Sequence, residues 1–167
     1  MNLYILRHGI AVELGVDGYT EDSERPLTSE GRQKVKKIAK AMKAMELSFD
    51  LVLSSPYARA LETAEIVTDV LGCRKQLEVF DALVPDGNAK ELIDLLNQLN
   101  PLPKNVLLSG HEPYLSELIS LLLSGNSHMQ VELKKGGFCK LAVDVLKHGR
   151  CATLEWLLTP KQMALVK

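Results

Sequence analysis

Short apolar runs alternate along the chain with longer segments in which apolar residues recur every three or four positions. Three such runs lie at residues 3–6, 50–53 and 106–108, and a further short strand is expected near residues 77–80. A run of this length is typical of a strand that is buried on both faces, as in a parallel sheet covered by helices. The pattern therefore predicts a protein in which strands and helices take turns.

The first two helices are predicted from their starts as well as from their periodicity. Thr28 can cap a helix whose apolar side chains share one face, namely Val35, Ile38, Ala39, Met42 and Met45. The segment Ser54-Ser55-Pro56 is typical of a second helix start, because serine caps free amides and proline suits the first helical position. We expect this second helix to end at Gly72.

Two further helices are predicted from leucine-rich faces, one over residues 92–99 and one over residues 115–122. Pro101 should end the first of them, and Pro113 should open the second. Toward the C-terminus the period changes to two, which predicts strands at 138–145 and 152–158 joined by a tight turn at 147–150.

Strands that alternate with helices indicate an α/β fold, a three-layer α/β/α sandwich around a mostly parallel sheet. The two C-terminal strands are expected as an antiparallel addition to that sheet. With 167 residues, of which 46% are hydrophobic, the chain can bury the core of one domain, and we expect a single domain over residues 1–167. Sites in such sheets lie at the carboxyl ends of the strands.

Composition excludes several classes of partner. The 20 basic and 21 acidic residues nearly cancel and form no long runs, so we expect neither nucleic acid nor membrane as a partner. The three cysteines, Cys73, Cys139 and Cys151, are widely spaced and are expected as free thiols of a reducing compartment. Without a signal-peptide core or a membrane-spanning run, the expected location is the cytoplasm.

Polar residues follow three of the predicted strands, where an ordinary core would not place them. They are Arg7-His8-Gly9, the segment that leads from Ser54 to Arg59, and Gly110-His111-Glu112. Arg59 falls near the start of its helix, so its guanidinium and the free helix amides can face one anion. Phosphate is the anion that this arrangement favours, because guanidinium donates two parallel hydrogen bonds to phosphoryl oxygens.

A histidine beside a phosphoryl group can attack phosphorus through a neutral ring nitrogen and form a phosphohistidine intermediate. Nearby arginines help to keep His8 neutral, since like charge lowers its pKa. Gly9 would allow the backbone to approach closely. The acidic stretch 13–24 could hold a metal with His8, but zinc needs three or four close ligands and the arginines would repel a cation. We expect no metal and no cofactor.

These motifs resemble those of the histidine phosphatase superfamily. The resemblance lies in the strand that ends in Arg7-His8-Gly9, in the Ser-x-x-x-Arg-Ala-x-x-Thr-Ala pattern from Ser55 to Ala64, and in Gly110-His111. Within that superfamily the chain is most similar to the small SixA-like phosphohistidine phosphatases, because Arg25-Pro26-Leu27-Thr28, followed by Gly31, looks like their second signature. The resemblance implies a phosphoglycerate mutase-like fold.

The resemblance also implies roles for individual residues. His8 would be the nucleophile, Arg7 and Arg59 would bind phosphoryl oxygens, and His111 would add a donor and positive charge. Arg25 would supply a third guanidinium. Larger members carry an insertion that covers the pocket and holds an acidic proton donor, whereas residues 64–110 of this chain leave little room for one.

A pocket without that insertion should be open, which favours a side chain on a phosphohistidine-bearing signalling or carrier protein, with phosphate ion as the product. The proton donor is less defined: Asp22 is the first candidate, and Asp81, Asp86 and Glu112 follow. An imidazole leaving group softens the need for an acid, because it can be protonated near neutral pH.

Each residue also has an ordinary structural alternative. His8 could bond to backbone at a strand end, Arg59 could be an exposed helical arginine, and His111 could cap its helix. Arg25 could brace its loop, and Asp22 could be a solvated carboxylate. As functions, a small-molecule phosphatase or mutase and a phosphoprotein-binding module without turnover are the alternatives to a phosphohistidine phosphatase.

Overall fold

A computed structural model describes residues 1–166 as a six-stranded sheet with helices on both faces. The strands are β1 (Asn2–Arg7), β2 (Leu51–Ser54), β3 (Leu77–Val79), β4 (Asn105–Gly110), β5 (Phe138–Val143) and β6 (Ala152–Leu158). The helices are α1 (Ser29–Ala44), α2 (Ala58–Leu71), α3 (Ala89–Gln98), α4 (Tyr114–Ser124) and α5 (Pro160–Met163). Short 3-10 turns lie at Asp22–Glu24, Arg74–Gln76 and Asp81–Leu83.

The central strand β1 divides the core into two layers. Leu3 and Ile5 join the cluster packed under α3 and α4, whereas Tyr4 and Leu6 join the cluster under α1, α2 and α5. All four side chains are buried, because successive residues of a strand point to opposite faces and both faces are covered. The predicted three-layer α/β/α sandwich is confirmed.

Strand order places three carboxyl ends side by side. The sheet runs β3-β2-β4-β1-β5-β6, and β2, β3 and β4 pair in parallel with their neighbours while β5 and β6 are antiparallel. Arg7 lies opposite Gly110, and Ser54 lies opposite Ser109. The three polar segments that the sequence placed at strand ends therefore meet at one edge of the sheet.

The start of α2 differs from the prediction. This helix begins at Ala58, its N-cap is Tyr57 without a side-chain cap, and Pro56 lies outside it. The reason is that the serine hydroxyls have other partners: Ser54 Oγ donates to Ser55 O at 2.9 Å, and Ser55 Oγ lies 2.8 Å from His111 Nε2. The two serine hydroxyls therefore form hydrogen bonds at the end of β2 and do not cap α2. Gly72 does end α2, in the left-handed conformation.

The connection between β5 and β6 also differs from the predicted tight turn at 147–150. It runs from residue 144 to residue 151, because Leu146 turns inward and is buried in the core. Asn97 Nδ2 donates to Leu146 O at 3.1 Å, and Cys151 N donates to Leu122 O at 2.9 Å. The connection is therefore part of the packed layer on α3 and α4.

The start of α1 agrees with the prediction and shows why a glycine is needed at position 31. Thr28 Oγ1 accepts a hydrogen bond from Gly31 N at 2.9 Å, while Thr28 N donates to Ile10 O at 2.9 Å. A Cβ on Gly31 would collide with Ile10 O. The segment that follows His8 is thus clamped against the first turn of α1. Within residues 1–166, no helix combines the length and apolar character needed to cross a bilayer.

Candidate active site

His8 lies just beyond β1 with only 6% of its surface exposed. Its Nδ1 lies 2.7 Å from Gly9 O, and a carbonyl oxygen can only accept, so Nδ1 carries the proton. Its Nε2 accepts a hydrogen bond from Arg59 Nε at 3.3 Å. A neutral imidazole protonated at Nδ1 keeps a lone pair on Nε2, and this nitrogen faces the guanidinium of Arg59.

Burial keeps the His8 ring neutral. Desolvation is the largest influence and lowers the pKa of His8 from 6.5 to about 3, although the hydrogen bond to Gly9 opposes the shift. The positive charges of Arg59, Arg7 and Lys135 lower the pKa further. The sequence suggested the arginine influence, but burial outweighs it. At neutral pH the ring is in the form that can act as a nucleophile.

Arg59 is held between the helix and the loop before α1. Its guanidinium is 4% exposed; Nη1 donates to Asp22 O at 2.6 Å, and Nη2 donates to Asp22 Oδ2 at 2.9 Å. One turn later on α2, Thr63 Oγ1 donates to Arg59 O and accepts from Gly9 N at 3.1 Å. Thr63 therefore fixes the helix start against the residue after His8.

Gly9 allows that close approach. A Cβ at this position would lie 2.6 Å from Val35 Cγ2 and 3.2 Å from Leu27 Cδ2, so a larger residue would push β1 and α1 apart. The expected need for a glycine beside His8 thus has a specific cause. It is the packing of α1 on the segment that leaves β1.

Arg7 is the last residue of β1 and lies next to His8 in the chain. Its Nη1 donates to Leu133 O at 2.9 Å, and its Nε is a buried nitrogen without a hydrogen-bond partner among residues 1–166. Burial lowers the pKa of Arg7, while the Glu112 carboxylate raises it. A guanidinium keeps its charge despite such a shift, so Arg7 can still donate to an anion.

Asp22 bridges two arginines. Its Oδ1 accepts from Arg25 Nε at 2.8 Å and from Arg25 Nη2 at 2.5 Å, while Oδ2 accepts from Arg59. Burial would raise the pKa of Asp22, but the hydrogen bonds from Arg59 and Arg25 outweigh it and lower the pKa below its ordinary value. The carboxylate therefore stands where two guanidinium groups meet and is ionised there.

His111 is 1% exposed and completes the group of four residues. Its ring centroid lies 5.1 Å from that of His8, and burial, followed by the charges nearby, lowers its pKa to about 3. Ser55 Oγ accepts from Tyr57 N at 3.3 Å and lies 2.8 Å from His111 Nε2. The serine hydrogen can therefore be donated to Nε2, which leaves the proton of the neutral ring on Nδ1. His111 Nδ1 is buried without a partner among the described residues.

Glu112 differs from the other acidic candidates in its environment. Burial raises the pKa of Glu112, against the opposing effects of Ser116 and Arg7. Its Oε1 accepts from Ser116 N at 3.1 Å. Asp81 and Asp86 are exposed. Because its pKa is raised, Glu112 is protonated to a greater extent near neutral pH than Asp22, and it is therefore the better proton donor of the two.

The loop between β1 and α1 covers part of the site. Ala11 and Leu27 form an isolated antiparallel bridge at its base, and Val12 N donates to Pro26 O at 2.9 Å. Arg25 Nη1 donates to Val12 O at 2.9 Å, so this arginine also braces the loop. The loop thus brings Asp22 against the guanidinium of Arg59 at one side of the site.

Sequence reasoning identified the four residues that the structure brings together, Arg7, His8, Arg59 and His111. It missed Ser55, which it read as a helix cap, and Thr63, although both lie within the quoted pattern from Ser55 to Ala64. A hydroxyl four residues after Arg59 gives no period or charge signal. Among residues 1–166, no three His, Cys, Asp or Glu side chains are grouped in a way that could hold a metal ion.

Comparison with known proteins places this geometry in a family. The sequence profile of the histidine phosphatase superfamily (branch 1) matches residues 3–84. An uncharacterized protein of Picosynechococcus sp. (strain ATCC 27264 / PCC 7002 / PR-6) is 36% identical over 143 residues, with 84% of each chain covered. Phosphohistidine phosphatase SixA of Escherichia coli (strain K12) is 29% identical over 168 residues, covering 100% of this chain and 99% of the relative.

Comparison with solved structures supports the same family. A solved structure of the protein histidine phosphatase SixA complexed with tungstate superposes with a TM-score of 0.82 at 28% identity, covering 96% of this chain and 98% of that chain. The resemblance read from the strand-end motifs is confirmed. The chain belongs to the histidine phosphatase superfamily, within which it is similar to SixA.

Proposed function

We propose that this phosphatase hydrolyses protein phosphohistidine through a covalent phosphohistidine on its own His8. The observation that carries the proposal is the tautomer of His8. The Gly9 carbonyl holds the proton on Nδ1, and Nε2 keeps its lone pair beside Arg59, 3.3 Å from Nε. Nε2 is thus the nucleophilic atom of a ring that burial keeps neutral.

In the first step, His8 Nε2 attacks phosphorus while the bond from phosphorus to the substrate nitrogen breaks. The substrate imidazole leaves with the electron pair of that bond and takes up a proton. In the second step, water attacks phosphorus and gives a proton back to the carboxylate that protonated the leaving imidazole. The bond from phosphorus to Nε2 breaks, its electron pair returns to Nε2, and inorganic phosphate leaves. The ring of His8 then returns to its neutral form, so the cycle consumes only water.

Three donors surround the developing charge on the phosphoryl oxygens. Arg7 and Arg59 offer guanidinium groups, and His111 offers the Nδ1 hydrogen that Ser55 leaves to it. The two unpartnered nitrogens, Arg7 Nε and His111 Nδ1, would each gain an acceptor in such an anion. Donors fixed in a buried site cost little reorganisation during the reaction, which is the main source of rate enhancement in this arrangement.

We assign the proton for the leaving imidazole to Glu112 rather than Asp22. The raised pKa of Glu112 keeps a larger protonated fraction at neutral pH, whereas the two arginines keep Asp22 ionised. Asp22 and Arg25 instead order the guanidinium of Arg59. An imidazole accepts a proton near neutral pH, so even a modest acid suffices for P–N cleavage.

Similarity to SixA, over the full length of this chain, supports a phosphohistidine-bearing signalling or carrier protein as the partner. The enclosure of the site favours a second candidate, a small phosphomonoester, because His8 and His111 expose only 6% and 1% of their surfaces. A phosphohistidine on a protein must then extend its side chain into the site, and the imidazole is far enough from the backbone to do so.

A panel of substrates tests the proposal. Phosphate release from a phosphohistidine-bearing carrier protein is compared with release from aryl, serine and sugar phosphates and from 3-phosphoglycerate. We expect the highest kcat/KM on the phosphohistidine carrier. A clear preference for a sugar or serine phosphate would replace the proposal with the second candidate. Rapid quenching should also trap acid-labile phosphate on His8, and a protein that only binds phosphate would form no such adduct.

A further inference from the structure

A groove of about 720 Å³ lies beside the active site, between α1, the segment before β5 and α5. Its floor is apolar and is formed by Ile10, Val35, Ile38, Pro160 and Ala164. A second cleft of about 290 Å³ shares Lys37 and Ala164 with it and continues between α1 and α5. The two together form an elongated depression, which we call the basic groove.

The rim of this groove concentrates positive charge. Its lysines come from three parts of the chain and are Lys34, Lys37, Lys134, Lys135 and Lys161. Lys34 pairs with Glu30 and Lys134 with Glu132, but within residues 1–166 the other three have no ion pair. The whole chain has a net charge of −1, so this surface is a local concentration and not a general property of the protein.

The groove extends to the residues on either side of His8. Arg7 and Gly9, the two neighbours of His8, both line it. Gly136 N donates to Arg7 O at 3.1 Å and to His8 O at 3.0 Å, which joins the lysine-bearing segment to the strand end. The charge of Lys135 also acts on the ring of His8. A chain that leads away from a group bound at His8 can therefore continue directly into the groove.

We propose that the basic groove binds an acidic, extended segment of the phosphoprotein substrate that flanks the phosphorylated histidine. This proposal rests on the proposed function of the same site. A polypeptide fits because acidic side chains can meet the lysines while apolar side chains of the same segment meet the floor. A nucleic acid backbone has no apolar groups for that floor, and a flat membrane surface cannot enter a concave groove.

The experiment reverses charge in the groove without touching the pocket. The double variant Lys37→Glu/Lys161→Glu is compared with Lys75→Glu/Lys147→Glu, which changes the net charge equally at exposed lysines outside the groove. Substrates are two phosphohistidine peptides that carry alternating leucine and glutamate, or alternating leucine and lysine, beside the phosphorylated residue. Aryl phosphate reports the basal activity.

We expect the wild type to prefer the acidic peptide by about tenfold in kcat/KM at low salt, as exposed charge pairs usually allow. The groove variant should lose this preference and the control should keep it, with aryl phosphate hydrolysis unchanged in both. An acidic-peptide preference that survives in the groove variant would overturn the proposal. So would a parallel loss of aryl phosphate hydrolysis, which would place the lysines in the pocket instead.

A binding measurement separates failure of this proposal from failure of the proposed function. Fluorescence anisotropy follows the unphosphorylated acidic peptide, whose binding needs no turnover. Binding that depends on Lys37 and Lys161 supports the groove even if phosphohistidine proves to be a poor substrate. Absence of binding, or binding of a DNA oligonucleotide or phosphatidylserine vesicles in preference to the peptide, would refute it.

Discussion

The phosphate pocket and the basic groove share Arg7 and Gly9 but are built in opposite ways. In the pocket, His8, Arg59 and His111 are buried, and their hydrogen bonds are between 2.6 and 3.3 Å long. In the groove, the lysines are exposed and most act without a partner. Buried, fixed charges can stabilise a transition state, whereas exposed charges add modest affinity and steer encounter. The two proposals, catalysis in the pocket and partner selection in the groove, can therefore be tested separately.

The largest effect should come from the nucleophile. His8→Ala removes the proposed nucleophilic nitrogen, so we expect kcat to fall by at least about 10⁴-fold on every substrate. His128→Ala, at an exposed histidine outside the pocket, is the control and should keep full activity. Phosphate release measured on the carrier protein and on aryl phosphate checks the comparison. Wild-type turnover by the His8→Ala variant would contradict the proposed mechanism.

Arg59 provides the next test of the pocket. Arg59→Met removes a fixed donor in a buried site, for which a loss of about 10²- to 10³-fold in kcat is usual. Arg59→Lys keeps the charge but loses the planar fork and should fall between the two. Arg32→Met serves as the control on the exposed surface of α1. A loss confined to KM would show that Arg59 contributes only to ground-state binding.

The buried histidines should also make the fold sensitive to acid. Their pKa values of about 3 lie below the unfolded value of 6.5, so the unfolded chain binds more protons between those limits. Stability is therefore greatest above pH 6.5 and falls as the pH drops toward 3, by up to about 2 kcal/mol per histidine between pH 6.5 and 5.

Urea unfolding at pH 7 and pH 5 measures this loss. The double variant His8→Asn/His111→Asn should lose less stability between the two pH values than the wild type. The exposed pair His128→Asn/His148→Asn should behave like the wild type. An equal loss in all three proteins would mean that the pocket histidines are not the source of acid sensitivity.

The smallest effect in this series concerns Ser55, which acts through His111. Ser55→Ala removes the donor to Nε2, so the proton of the ring is no longer directed to Nδ1, and we expect about a tenfold loss in kcat. The ¹⁵N shifts of the His111 ring should report a change of tautomer, which a merely structural role would not produce. Ser54→Ala, at a buried serine that bonds only Ser55 O, should leave both measurements unchanged.

Local patterns predicted the fold because the chain obeys them almost everywhere. The burial of β1 on both faces, the cap at Thr28 and the glycine that ends α2 each follow from a few neighbouring residues. The errors arose where a distant partner overrode a local preference. Ser55 Oγ contacts His111 and accepts only from Tyr57 N, before the first residue of α2, and Leu146 packs inward instead of allowing a tight turn.

The site was predictable in its residues but not in its protonation. Arg7, His8, Arg59 and His111 were visible because each follows a strand. The ionised state of Asp22 depends on two arginines that are separated along the sequence, and the raised pKa of Glu112 depends on burial. The basic groove was invisible for a similar reason, since Lys37, Lys135 and Lys161 become neighbours only in the folded chain.

The bridge from Asp22 to Arg25 and Arg59 has a consequence for the end of each cycle. In the structure, the guanidinium of Arg59 already has a carboxylate counter-ion, Asp22. In the proposed mechanism, an entering phosphoryl group would compete with that carboxylate for Arg59, and the return of the carboxylate would favour release of the product. The loop that carries Asp22 would then weaken binding of free phosphate and leave the site open to the next substrate.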